Sequence, residues 1–205
     1  MYSEKDYVYS GLKAVSQCFP DYIDFYGKCC KAFESGVPIF DTVLSNLGIF
    51  TQENKWKCLQ TYREHVPTIN LYNGVKELIQ EIRARGMKVG ILTDGRPSGQ
   101  RKKISALGLE ELVDEIIVTD EIGGELFRKP NDIAFRIMQR KMGIPFENMV
   151  YVGDNPKKDF IAPQQLGMRT ILFQNSNGLY ASNDVYKTDY IIQDEIIQLK
   201  EVILK

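Results

Sequence analysis

Histidine is almost missing from this sequence: His65 is the single one in 205 residues. Four cysteines are present, Cys18, Cys29, Cys30 and Cys58, and no two of them stand in a C-x-x-C pair. Together these shortages exclude the usual zinc sites. They also leave serine–histidine and cysteine–histidine hydrolase chemistry without a visible pair. No sign of charge is in excess, with 26 Lys and Arg against 27 Asp and Glu. That balance argues against a dedicated nucleic-acid binder, which shows a basic stripe or tail. No apolar run approaches the roughly 20 residues of a membrane span. The opening MYSEKDYVYS is polar and acidic where a signal peptide is basic and then apolar. The expectation is a cytoplasmic protein that binds neither nucleic acid nor membrane. Internal repeats and low-complexity linkers are lacking too.

What is there suffices for one ordinary domain with a small subdomain, since a chain of this length can bury about 70% of its unfolded surface. The cysteines read as small apolar residues on helix faces in a reducing compartment. His65 lies near the end of a helical pattern and suits a C-terminal dipole position.

Residues 1–70 read as helices and little else. Ser3 with Asp6 resembles a capping box ahead of Tyr7, Val8, Leu12 and Val15 at helical spacing. Further helices are predicted over Tyr22–Ser35, Phe40–Leu47 and Glu53–His65, with aromatics such as Trp56 and Tyr62 as core. From residue 71 to 205 the pattern changes. An amphipathic helix, Gly74–Arg85, precedes apolar runs at Lys88–Thr93, Glu115–Thr119, Met149–Gly153 and Arg169–Phe173. Helical stretches near Gly99–Leu107, Asn131–Met142 and Lys157–Leu166 separate these runs. A last run, Tyr190–Ile192, leads into a C-terminal helix. Strands alternating with helices predict an α/β fold, a doubly wound parallel sheet covered on both faces. In such sheets the ligand sits outside the carboxyl ends of the strands.

Polar residues gather at those ends. Thr93-Asp94-Gly95 follows the first run, Asp120 the second, and Asp154 the third, with Asp159 five residues on. Lys129 stands just before Pro130 at a helix start. Asp154 and Asp159 offer the hard oxygens that suit Mg²⁺. The Thr93 hydroxyl with the Asp94 and Gly95 amides could hold a phosphate, and Lys129 adds a point positive charge. Each piece alone is common; their order, each at its own strand end or loop, points to phosphate chemistry.

The stretches ILTDGRPSGQRKKISALGL, FRKPNDIAF and YVGDNPKKDFIAPQQLGM resemble the second, third and fourth motifs of the haloacid-dehalogenase-like (HAD) hydrolase superfamily. The resemblance implies a Rossmann-like core over 71–205 and a helical cap over 1–70. It implies that Thr93 and the Asp94-Gly95 turn bind the phosphoryl group and that Lys129 neutralises nucleophile and phosphate. Asp154 would ligate Mg²⁺ with Asp159 as its partner. The Gly153-Asp154 pair resembles the Mg²⁺-dependent phosphatases of the superfamily, which act on small phosphorylated substrates through an aspartyl-phosphate.

The superfamily's first motif, a strand ending in Asp-x-Asp-x-Thr, occurs nowhere in the 205 residues. Glu4 and Asp6 are the nearest spaced acidic pair, and they read as helix-dipole residues. The resemblance places that strand at the centre of the sheet, between the strands ending at Thr93 and Gly153. Its absence predicts a slot of about 9–10 Å flanked by unpaired backbone, and hence marginal stability. Three explanations are carried forward: an N-terminally truncated reading frame, a strand supplied by another polypeptide or a homodimer, and a non-catalytic module that binds phosphorylated ligands or a partner. A phosphoacceptor receiver domain fits less well, because the chain is too long and its first third is helical.

Overall fold

The computed structural model describes residues 1–176, 178 and 187–204. The chain divides into two compact units, Glu4–Ile69, and Met1–Ser3 together with Asn70–Lys205. None of the helices in the described residues is long and apolar enough to cross a membrane.

The first unit holds helices α1 (Glu4–Ser16), α2 (Phe25–Glu34), α3 (Ile39–Asn46) and α4 (Gln52–Glu64). Helix starts follow their caps: Asp24 accepts the Gly27 N–H at 3.1 Å and Thr51 accepts the Asn54 N–H at 3.0 Å. Leu12, Val15, Phe25, Cys29, Val43, Leu44 and Cys58 form the buried centre. The rings of Phe19 and Phe25 stack there at 4.6 Å. Trp56, expected in the core, is 64% exposed. The reason is helical phase, because α4 turns Cys58, Leu59 and Tyr62 inward and Trp56 lies off that face. His65 ends α4 as expected, buried, with Nδ1 2.7 Å from the Tyr62 carbonyl and its ring against Tyr7. Burial pushes the Cys29 and Cys58 thiols up to about 12.

The second unit runs α5 (Val75–Ala84), β1 (Gly90–Thr93), α6 (Pro97–Ala106), α7 (Leu109–Leu112), β2 (Glu115–Val118), α8 (Thr119–Gly123), α9 (Ile133–Met142), β3 (Val150–Gly153), α10 (Ile161–Gln165), β4 (Arg169–Gln174), β5 (Tyr190–Gln193) and α11 (Ile196–Ile203). Among the described residues the named strands all pair in parallel, and one isolated bridge, Tyr2↔Leu71, is antiparallel. The helix expected over Lys157–Leu166 shrinks to α10. Residues 154–159 are held as a loop instead, because the Asp159 carboxylate takes the N–H groups of Asp154 and Asn155.

The sheet is in two pieces. β1 pairs with β2 from Gly90↔Glu115 to Thr93↔Val118, and β3, β4 and β5 form a separate three-stranded piece. In the described residues no strand lies between β1 and β3. β4, at the centre of its piece, is sealed: Ile171 and Leu172 are 0% and 1% exposed. β1 and β3 are only half-buried along their length, and Val152 is 36% exposed. Apolar packing nevertheless joins the pieces. Ile91 of β1 and Val150 of β3 pack on one cluster with Ile171, Ile79 and Ile196, and Leu92 packs on another with Phe135 and Tyr151. Half-exposed backbone can turn to water, so these edges cost less than sealed orphan groups. The predicted discontinuity is found among the described residues.

Candidate active site

Near the carboxyl ends of β1 and β3, Asp94, Lys129 and Asp159 are joined by a hydrogen bond and an ion pair, with Thr93 beside Asp94 in the chain. Thr93 ends β1 and donates its hydroxyl to Gln100 Oε1 of α6 at 2.9 Å. Asp94 follows, its side chain only 6% exposed. Its Oδ1 accepts the Thr119 hydroxyl and the Lys129 N–H, each at 3.1 Å, and its Oδ2 lies 2.6 Å from Lys158 Nζ. The carboxylate is thus a fastener among β1, α8, the Lys129 loop and the loop after β3. Gly95 has φ 129°, which an L side chain rarely adopts.

Asp120, at the end of β2, receives a bidentate fork from Arg128, with N···O distances of 2.7 and 2.6 Å. The Arg128 guanidinium holds the Asp120 carboxyl below the usual carboxylate range. This clamp fixes the residue that immediately precedes Lys129.

Lys129 is the most enclosed cation of the cluster, its side chain 9% exposed. Nζ donates to the Tyr151 hydroxyl at 2.9 Å and lies 2.9 Å from Asp159 Oδ1. The second contact lacks hydrogen-bond alignment, and Asp159 Oδ1, though buried, accepts no hydrogen bond; the pair is held by charge. Burial pulls the ammonium's pKa down, but Tyr151, Asp159 and Asp94 outweigh it and raise it well above the ordinary lysine value. Lys129 is therefore a fixed positive charge at neutral pH and not a base. Burial pushes the Tyr151 phenol up to about 12, against the pull of Lys129 beside it.

Asp154 follows β3 and is exposed. Asp159, with its side chain 4% exposed, closes the loop back: Oδ2 accepts the Asp154 N–H at 3.2 Å and the Asn155 N–H at 2.9 Å. Gly153 is required here, because a Cβ would come within 2.6 Å of Asp159 Oδ2. Among the described residues no group of three His, Cys, Asp or Glu gathers as a metal cage. The exposed Asp154 carboxylate offers a hard oxygen of the kind Mg²⁺ accepts along with waters and phosphate oxygens, whereas Asp159 is committed to the loop and to Lys129.

Six participants were not assigned site roles by the sequence: Gln100, Thr119, Arg128, Tyr151 and Lys158, and Asp120 in its role as partner to Arg128. The sequence analysis gives Tyr151 and Lys158 no role, and it is tertiary proximity that brings them to Lys129 and Asp94.

The fold is an α/β unit with Thr93 and Asp154 at the ends of β1 and β3 and Lys129 in the loop before α9. The chain belongs to the haloacid dehalogenase-like hydrolase family, which it matches over residues 36–173. It is 30% identical over 154 residues to the glyceraldehyde 3-phosphate phosphatase of Methanocaldococcus jannaschii, covering 75% of this chain and 61% of that one. It is 32% identical over 101 residues to the phosphoserine phosphatase of Thermus thermophilus, covering 49% and 39%. This chain thus spans under two thirds of the length of these relatives. Its fold resembles the HAD-hydrolase YfnB from Bacillus subtilis bound to magnesium, with TM-score 0.67, 19% identity, and 98% and 93% of the two chains covered.

Proposed function

We propose that this chain carries the phosphoryl- and magnesium-binding part of a phosphohydrolase acting on a small phosphorylated metabolite. The observation that carries the reading is Lys129: a buried ammonium kept charged by Asp159 and Tyr151, between the Thr93-Asp94 turn and the loop of Asp154. A buried, fixed cation at strand ends is suited to phosphoryl oxygens and developing negative charge. Relatives named as phosphatases of glyceraldehyde 3-phosphate and phosphoserine support a small phosphomonoester as substrate.

In this reading residues 1–70 serve as a cap and 71–205 as the core. Thr93 contributes its hydroxyl to the phosphoryl group after leaving Gln100, and Lys129 orients and neutralises it. Asp154 would hold Mg²⁺, steadied through Asp159; the ion, when bound, supplies Lewis-acid neutralisation of the phosphoryl oxygens. The attacking carboxylate is the missing part. Asp94 does not serve, since both its oxygens are engaged by Thr119, Lys129 and Lys158. The gap between β1 and β3 is the natural seat for a parallel strand bringing that aspartate, whether from a longer form of this chain, a second copy or another polypeptide. Taken alone, the 205-residue chain is then a module that binds phosphate without turning it over.

The test is calorimetric titration of inorganic phosphate into the chain with and without Mg²⁺. Mg²⁺-dependent binding that Lys129→Ala abolishes and Asp154→Asn shifts to higher Mg²⁺ supports the reading. Binding unaffected by both substitutions removes these residues from the site.

A further inference from the structure

Asp94 poses an electrostatic difficulty for any anion at the Thr93-Asp94-Gly95 turn. Its side chain is 6% exposed, and two of its three partners, the Thr119 hydroxyl and the Lys129 N–H, are neutral dipoles. They fix the carboxylate but do not cancel its charge. A buried negative charge adjoining a phosphate site opposes a dianion strongly, because little water is present to screen it. The neighbouring cations are already committed: Arg128 forks onto Asp120, and Lys129 Nζ sits on Asp159 and Tyr151. Among the described residues the remaining close cation is Lys158, whose Nζ lies 2.6 Å from Asp94 Oδ2. It arrives from the loop after β3, across the break in the sheet from the end of β1.

We propose that Lys158 is the counter-charge that makes this turn competent to receive a phosphate dianion, acting through Asp94. It is a positioning residue for the site proposed above, on whose reading this inference rests. Lys158 keeps the turn neutral and ties the ends of β1 and β3 at the point where the sheet is open. Its side chain is 34% exposed while that of Asp94 is 6% exposed, so the folding of each variant is measured beside its binding.

Inorganic phosphate is titrated into the 205-residue chain in Mg²⁺ by calorimetry, with thermal melting of each variant to confirm folding. Lys158→Met is expected to weaken phosphate binding about tenfold or more, and Lys158→Arg to keep most of it. The double variant Asp94→Asn/Lys158→Met is expected to recover most of the lost affinity. The amide oxygen that Asp94→Asn introduces can still accept from Thr119 and Lys129, and no charge is left to compensate. A merely structural lysine would not be rescued by removing its partner's charge. Unchanged binding in Lys158→Met overturns the proposal, and so does a double variant as weak as the single one. Lys129→Ala separates the two claims. If it abolishes binding while Lys158→Met does not weaken it, only this inference fails. If the wild-type chain does not bind phosphate, or Lys129→Ala binds as well as wild type, the site reading fails and this inference with it.

Discussion

Among single residues, Asp159 carries the most. It accepts two backbone N–H groups with one oxygen and faces a buried ammonium with the other. Removing it leaves Lys129 buried with part of its compensation gone. Asp159→Ala is expected to cost about 3–5 kcal/mol. Arg136→Ala, which breaks an exposed i,i+4 pair with Asp132, is expected to stay within about 0.5 kcal/mol. Urea unfolding of both variants measures the contrast, and equal costs would show that the Asp159 cluster is not buried as described. Residue-level legibility was uneven. The places of Thr93 and Asp154 at the ends of β1 and β3 could be read from the apolar runs. That Lys158 closes on Asp94 could not, because the sequence shows the turn but not what packs on it.

At the scale of elements, the alternation of apolar runs placed the strands and most helices within a few residues. The failures have local causes. Asp159 draws the loop after β3 back on itself and shortens α10, and helical phase turns Trp56 outward. The helical unit also predicts its own chemistry. The Cys29 and Cys58 thiols are pushed up to about 12 by burial, while unfolded thiols ionise near 8.5. A pKa raised on folding gives stability that is complete below the unfolded value and declines as pH rises toward the folded one. The unit should therefore lose stability between about pH 9 and 12, and Cys29→Ala should flatten that decline. A neutral alkylating reagent should modify Cys18 and Cys30, which are partly exposed, well before the buried pair. Simultaneous labelling of all four would contradict the packing. In the sheet, Ile171→Ala at the sealed centre of β4 should cost about 2–5 kcal/mol, whereas Val152→Ala on the half-open β3 should cost less than about 1 kcal/mol.

For the whole molecule, the proposed function turns on the open place between β1 and β3. In that reading Lys129, Thr93 and Asp154 hold a phosphoryl group and its ion. Holding is not hydrolysis, because the attacking carboxylate is not among the residues assembled here. The most direct measurement is Mg²⁺-dependent hydrolysis of an aryl phosphate by two proteins, alongside their thermal melting. One is the 205-residue chain; the other is the same chain extended before Met1 by an apolar strand ending in Asp-x-Asp-x-Thr. The extended protein is expected to turn over substrate and to melt higher, since the strand pairs β1 and β3 and buries their exposed faces. The 205-residue chain is expected to bind phosphate and release no product. Equal turnover and equal melting in the two proteins would contradict the open-strand reading and return the search for the nucleophile to Asp94, Asp120 and Asp159.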